Sequence, residues 1–554
     1  MLTRRDALRA VALAPLAMAG CRCKEHYPTL APAGLSTARS DPASVTPTDR
    51  LPAVLRPQAR TAARTFGRVI DVHGHFFNAS DIPVRGFMAE CFGHQAFGPL
   101  KWLAEAAAPL ADRIAERAPT ALEEIQRLRA LADACGHCTD GERWAYVRGY
   151  MTAETVAAAR HVAEVTRNTE LLRRYRTLTQ GRIRRTSNVR SGLGSNNLST
   201  DEVLDLVETL AAPDSAAIGA LDESQRDAQV GADAADGFVT FLTCMESLRA
   251  RNVHEYMHYL HRPTEPFGVD LVLDAMVDFD YWIDCPPRSP QNDQFALHAL
   301  LGRIHGDFLR PVVSYNPWTD IEQNCASLDR VREARTCGFV AAKIYPAIGF
   351  FPFGNDSTTV KTKKRRPNLH ELDVRLNAFF DYCAAERLPV IAHGEHKNGR
   401  DNAHDEFGGP TGWTALFKDY AQAAKAPVVS IGHFGGVDET TDWTREFAEL
   451  MNTTPDGSLY ADLGYWDALM CPTFPARRCN EARERLRCGL AAKVGPSGTA
   501  ADRVMFGTDW FMISQLKGWA RYPDTILESL RAIGVSDAAL EKIFRLNAEA
   551  CFKV

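Results

Sequence analysis

A (β/α)8 barrel of the α/β class, with a large helical insertion after its first strand, is the fold the sequence predicts. Three observations predict it. Apolar runs end repeatedly in a residue able to bind a metal or carry a proton. Amphipathic stretches of helical length separate the later runs, and the 554 residues leave room for a barrel of about 250 residues with additions. Buried parallel strands read as continuous apolar runs, and barrels of this kind keep their chemistry at the C-terminal strand ends.

The first run is Val69-Ile70-Asp71-Val72-His73-Gly74-His75-Phe76-Phe77. His73 and His75 are two apart, so on a strand their side chains leave the same side. Such a pair can bring two imidazole nitrogens onto one metal ion at about 2.0–2.1 Å. The second strand is expected at 269–279 and the third at 311–315. The fourth, 340–345, carries Lys343 ahead of Ile344-Tyr345-Pro346. Strands five and six, 389–393 and 428–433, end in His393 and His433. The seventh, 459–463, leads into Asp462-Leu463-Gly464-Tyr465-Trp466, and the eighth, 503–509, ends in Asp509. Helices are expected between strands at 293–303, 320–336 and 372–386, the alternation of parallel βα units.

His73-x-His75, single histidines after two later strands, and Gly507-Thr508-Asp509-Trp510 resemble the metal-dependent amidohydrolase superfamily. Gly432-His433-Phe434-Gly435-Gly436, Phe506-Gly507-Thr508-Asp509-Trp510 and the closing Ile543-Phe544-Arg545-Leu546-Asn547-Ala548-Glu549-Ala550-Cys551-Phe552 are similar to its amidohydrolase-related, decarboxylase-like branch. The resemblance covers 67–93 and 268–554, which are assigned to the barrel. It does not cover the segment between them.

The resemblance implies a divalent metal held by His73, His75, His393 and Asp509. Imidazoles and a carboxylate suit zinc, and also manganese, iron or cobalt. Such an ion acidifies a bound water and polarises a carbonyl. Asp509, touching both metal and water, is then the expected general base and later acid. His433 has two readings: with one metal it orients or protonates the substrate, and with two it binds the second ion. Lys343 is either carboxylated and bridging two ions, or the partner of a substrate carboxylate or a buried carboxylate.

Glu395, His396, His404 and Asp405 crowd the loop after strand five. Singly they read as a polar loop satisfying itself; as a set, Glu395, His396 and His404 are candidates for substrate contacts, together with Lys343. His94, His254, His258 and His261 lie in or beside the insertion and read as helix surface or lid. The basic run at 361–366 reads as a solvated turn, with attraction of an anionic substrate as the sharper alternative.

About 190 residues separate the first strand from the next, far beyond a βα loop. Helical spacing appears at 104–110, 121–134, 153–174, 200–210 and 238–260, with an exposed loop at 182–197. The segment 94–267 is therefore expected to be a helical subdomain over the barrel mouth, because it leaves from the C-terminal end of strand one.

At the N-terminus, 1–21 resembles a twin-arginine export signal: Arg4 and Arg5 precede an uncharged stretch at 10–20 that is too short to span a bilayer. Leu16-Ala17-Met18-Ala19-Gly20-Cys21 resembles a lipobox, so Cys21 is a candidate lipid-bearing membrane tether. Residues 22–66, rich in Pro, Ala, Ser and Thr, read as a flexible linker. An exported protein, periplasmic or anchored facing the periplasm, is expected. Of 14 cysteines, Cys135 and Cys138 read as a structural disulfide or buried thiols rather than half a second metal site. A formal net charge of −5 with no basic excess argues against a nucleic-acid partner and leaves a small-molecule substrate.

Three function classes remain. The first is a hydrolase cleaving an amide, ester or lactone with metal-activated water. The second is a non-oxidative decarboxylase or hydratase using the same ligands. The third is a non-catalytic exported metal-binding lipoprotein, against which the retained ligand set argues.

Overall fold

The computed structural model describes residues 59–87, 113–134, 140–166, 235–283, 286–355, 369–422, 426–438, 440–470, 476–516 and 518–554. The expected export signal, Cys21, Cys135 and Cys138, His94, the basic run 361–366, the loop expected at 182–197 and the helices expected at 104–110 and 200–210 lie outside the described residues.

Eight parallel strands succeed one another around the barrel in chain order: β1 Ile70–Gly74, β2 Leu271–Ala275, β3 Leu309–Ser314, β4 Ala341–Ile344, β5 Val390–Ala392, β6 Val429–Ile431, β7 Leu459–Asp462 and β8 Val504–Met505. The seam between β8 and β1 is held by backbone bonds. Val72 N–H donates to Phe506 C=O at 3.0 Å, and Asp509 N–H donates to His73 C=O at 2.7 Å. Strand alternation fills the interior: Leu271, Leu273 and Ala275 join Ile70, Val312, Ala341, Ile391, Tyr460 and Met505 in an inner cluster, while Val272 packs outward beneath the helices. The β1–β2 register shifts between Asp71 and Gly74, an irregularity of the kind that re-aims side chains beside active sites.

The insertion contributes α1 Ala121–Ala134, α2 Asp140–Thr166, α3 Ala235–Glu246 and α4 Arg249–Tyr256, the last running on through a wider turn to His261. The later strands are joined by α5 Gln291–His305, α6 Pro317–Glu322, α7 Ala326–Ala334, α8 Leu369–Glu386, α9 Pro410–Asp419, α10 Trp443–Thr453 and α11 Ala476–Ala491, and α12 Tyr522–Ala532 follows β8. Finally α13 Asn547–Phe552 sets Ala548, Cys551 and Phe552 into the inner cluster at the barrel's N-terminal end.

The described part of the insertion packs in two places. On the outer flank, Ile125, Leu128 and Leu131 of α1 meet Leu297, Leu301 and Ile304 of α5. At the C-terminal end, α3 lies against 512–515, and Phe241 faces the Phe511 ring at 5.4 Å. Helix α4 takes the place of a first barrel helix, with Tyr256 O–H donating to Asp71 Oδ2 of β1 at 2.6 Å.

Two expected helices are broken, each for a local reason. The stretch 238–260 divides at Leu248, whose backbone is extended, because the Glu124 carboxylate of α1 accepts from the Arg249 and Ala250 N–H groups at 2.8 Å and so starts α4 afresh. The Arg249 guanidinium, fully buried, donates to Asp81 at 2.9 Å and to Glu124 at 3.1 Å; breaking such a pair leaves an uncompensated buried charge, at a cost of about 3–5 kcal/mol. The stretch 320–336 divides at Asn324 and Cys325, both at positive φ, and Asp320 Oδ1 accepts from the Ser327 and Leu328 N–H groups that begin α7.

The linker expected through residue 66 ends earlier. Arg64 donates to Asp270 at 3.2 Å and to the Arg262 carbonyl at 2.9 Å, and Phe66 is buried with its ring stacked on Phe544 at 5.3 Å. A buried aromatic and a fully bonded guanidinium hold this end against the barrel.

Candidate metal centre

The end of β1 carries two imidazoles whose hydrogen bonds settle their tautomers. His73 Nδ1–H donates to the Asp462 carboxylate, 3.0 and 3.1 Å from its two oxygens, and His75 Nδ1–H donates to the Ala275 carbonyl at 2.6 Å. Both acceptors lack a proton to give, so each neutral ring keeps a bare Nε2. Those two nitrogens converge to 3.2 Å, and Asp509 Oδ1 lies 3.4 Å from His75 Nε2 and 3.7 Å from His73 Nε2. All three ligand atoms fall within 4.8 Å of one another, and all three residues are buried. Two lone pairs and a carboxylate aimed at one point repel each other unless a cation lies between them, so the donor set fits a divalent ion.

Lys343 Nζ sits 3.0 Å from His73 Nε2, where it would compete with a metal for the same lone pair. Burial lowers this amine to about 8, against the opposing pull of Asp462 and Asp509. Burial also depresses His73, and depresses His75 and His393 well below the usual imidazole value, which keeps them in the neutral form that ligates. Asp462 goes the other way: burial alone would raise it, but His73, His433 and the Gly464 N–H hold it at about 2.

A second histidine pair adjoins the first set. His433 Nδ1–H donates to the Gly464 carbonyl at 2.9 Å, leaving Nε2 bare and 3.1 Å from His393 Nδ1; the other His393 nitrogen is 3.3 Å from the Lys397 carbonyl. The His433 ring lies 4.8 Å from the His73 ring, and Tyr345 stacks on His393 at 4.4 Å. The structure thus brings His73, His75, Asp509 and Lys343 to one point, while His393 stands with His433 and outside the mutual reach of the first three.

Glycines at three strand ends make room for His73. A Cβ on Gly432 would lie 2.7 Å from His73 Cε1, one on Gly464 would lie 2.9 Å from Nδ1, and one on Gly507 would lie 2.9 Å from the histidine's own Cβ. The glycines of Gly432-His433, Leu463-Gly464 and Gly507-Thr508 are therefore a close-approach cage around one ring. Asp71 braces the same ring from the chain side. Its carboxylate accepts from the His73 and Thr508 N–H groups at 3.0 Å and from the Thr508 and Tyr256 hydroxyls at 2.5 and 2.6 Å. Burial pushes Asp71 up to about 7, with those bonds opposing. Sequence reasoning assigned no role to Asp71, Asp462 or Tyr345. Asp462 carried a usable signal, since it ends an apolar strand just as His393 and Asp509 end theirs.

The loop after β5 engages its own polar groups. Glu395 accepts from Lys397 Nζ at 2.7 Å, His396 Nε2 lies 3.1 Å from Glu406, His404 Nδ1 lies 2.6 Å from Asp401, and Asp405 accepts from the Gly399 N–H at 2.7 Å. On α4 and its continuation, His254 is lowered to about 4 by burial, His258 is exposed, and His261 is bonded to the Val269 carbonyl at 2.7 Å.

The Amidohydrolase family matches residues 245–554, more than half of the chain, whereas no curated protein matches. Among solved structures, an uncharacterised TIM-barrel protein from Bordetella bronchiseptica is 16% identical, with 56% of this chain and 84% of that one covered and a TM-score of 0.34. An amidohydrolase from Burkholderia multivorans with bound Zn is 12% identical, covering 52% and 84%, at a TM-score of 0.35. The 5-carboxyvanillate decarboxylase of Sphingomonas paucimobilis is 10% identical, covering 52% and 79%, at a TM-score of 0.32. With its eight-stranded parallel barrel and a family match over more than half its length, the chain belongs to the amidohydrolase family.

Proposed function

We propose that the protein is a metal-dependent hydrolase that cleaves an amide, ester or lactone with metal-activated water. The observation that carries this reading is the convergence of two bare Nε2 atoms and the Asp509 carboxylate on one point. A divalent ion held there by His73, His75 and Asp509 supplies Lewis acidity and a water acidified toward neutrality; zinc fits this donor set best, and manganese, iron and cobalt also take it.

The chain's own groups divide the remaining work. Asp509 is fixed by its N–H bond to the His73 carbonyl, and its carboxylate can take a proton from the nucleophile and return it to the leaving group. His433, its Nδ1 committed to Gly464, presents Nε2 alone, either to the substrate or, with His393, to a second ion. Lys343, low enough in pKa to be partly neutral, is available either for carboxylation as a bridge between two ions or for pairing with an anion. That second role favours the alternative reading, a non-oxidative decarboxylase or hydratase, because a buried ammonium beside the ligands is a natural partner for a substrate carboxylate. The loop residues Glu395, His396 and His404 remain proposed substrate contacts at the rim, and the helical insertion a proposed cover that excludes water.

A zinc-loaded protein assayed against amides, esters and lactones is expected to release acid, and to stop when the metal is chelated. Carbon dioxide release from carboxylic acids without hydrolysis would move the assignment to the lyase; turnover surviving chelation would remove both. Export through Arg4 and Arg5, with Cys21 as the lipid anchor, belongs to the same proposal, and the disulfide at Cys479 is a bond that an oxidising compartment permits. Replacing both arginines by lysine is expected to retain folded protein inside the cell; unchanged export in fractionated cells would contradict it.

A further inference from the structure

Asp462, the last residue of β7, is fully buried and accepts from three donors: His73 Nδ1–H, the His433 N–H at 3.1 Å and the Gly464 N–H at 2.9 Å. It therefore touches both histidine sets at once. The contact is tight, since a Cβ on Gly464 would lie 3.0 Å from Asp462 Oδ1 and 2.9 Å from His73 Nδ1. Resting on the metal reading above, we propose that Asp462 is a positioning residue that holds His73 in its ligating tautomer and direction and, through the His433 backbone, keeps the two histidine pairs in register.

Neutral imidazole has a single N–H, and an ionised carboxylate can only accept, so His73 places its proton on Nδ1 and turns Nε2 toward Asp509. A carboxylate behind a ligating histidine also makes the far nitrogen a better donor to metal, and losing such a partner typically weakens binding 10–100-fold. An asparagine here keeps the shape but offers one acceptor oxygen and an N–H pair to a pocket of three N–H donors. Either His73 turns over its tautomer, which puts a proton on the ligating nitrogen, or the amide faces a donor unpaired.

Zinc affinity, measured by competition with a chelator on the full chain, and the visible spectrum of the cobalt-loaded protein test this. Asp462→Asn is expected to raise the zinc Kd by about 10–100-fold and to shift the cobalt band. An unchanged Kd with an unchanged band would overturn the positioning role while leaving the metal reading intact, whereas wild-type protein that binds no zinc would overturn the metal reading itself. Should Asp462→Asn not fold, Asp462→Glu retains the charge but moves it by a methylene within a cage that has no space for it. Wild-type zinc affinity together with a wild-type cobalt band in that variant would overturn the role equally.

Discussion

Asp509→Asn is expected to lower kcat by about 10²–10⁴-fold, the usual contribution of a general acid–base group, while the protein still folds. Asparagine matches aspartate in size, and the backbone that sets this residue at φ 58°, with its N–H on the His73 carbonyl, is untouched. An amide oxygen can still approach the metal, but it cannot carry a proton from nucleophile to leaving group. The loss should therefore appear in kcat more than in KM. Metal content has to be measured on the same preparation, so that a proton-transfer defect is separated from an empty site. A metal-loaded Asp509→Asn enzyme with wild-type turnover would take the proton-carrying role away from this residue.

His73→Ala and His75→Ala are both expected to lose bound metal outright, because each removes one of three converging ligands. The two variants should nevertheless differ in stability. His75→Ala abandons only the Ala275 carbonyl, whereas His73→Ala leaves the buried Asp462 carboxylate without its side-chain donor, with just the His433 and Gly464 N–H groups remaining. Stranding a buried charged acceptor in this way costs about 1–3 kcal/mol or more, so the metal-free His73→Ala protein should melt below metal-free His75→Ala. Equal melting temperatures would mean that Asp462 is satisfied some other way. Wild-type metal stoichiometry in both variants would reduce the His-x-His pair to an ordinary strand end.

Much of this was legible in the chain because barrel strands advertise themselves locally. A short apolar run that stops at a histidine or an aspartate needs no distant information, and β1, β5, β6 and the residues after β8 were recognisable on that basis, as was α1 from its spacing. What escaped depended on partners far away in sequence. The break before Arg249 is made by Glu124, 125 residues earlier, and the role of Asp462 becomes visible only when β7 brings it beside His73, 389 residues away. The glycine cage is of the same kind: Gly432, Gly464 and Gly507 look like turn residues until a single imidazole is seen to need the space of all three. His393 shows the converse limit. Its position at a strand end was readable, but nothing local says that its Nδ1 faces His433 rather than His75. The linker boundary failed for a similar reason, since Arg64 sits in a Pro- and Ala-rich stretch and finds Asp270 only in the folded chain.

The most direct measurement is elemental analysis of the purified wild-type protein, loaded with zinc and then freed of excess. Tightly held metal is expected, one ion per chain if His73, His75 and Asp509 act alone and two if His393, His433 and Lys343 hold another. A folded protein that retains no divalent metal after loading would contradict it.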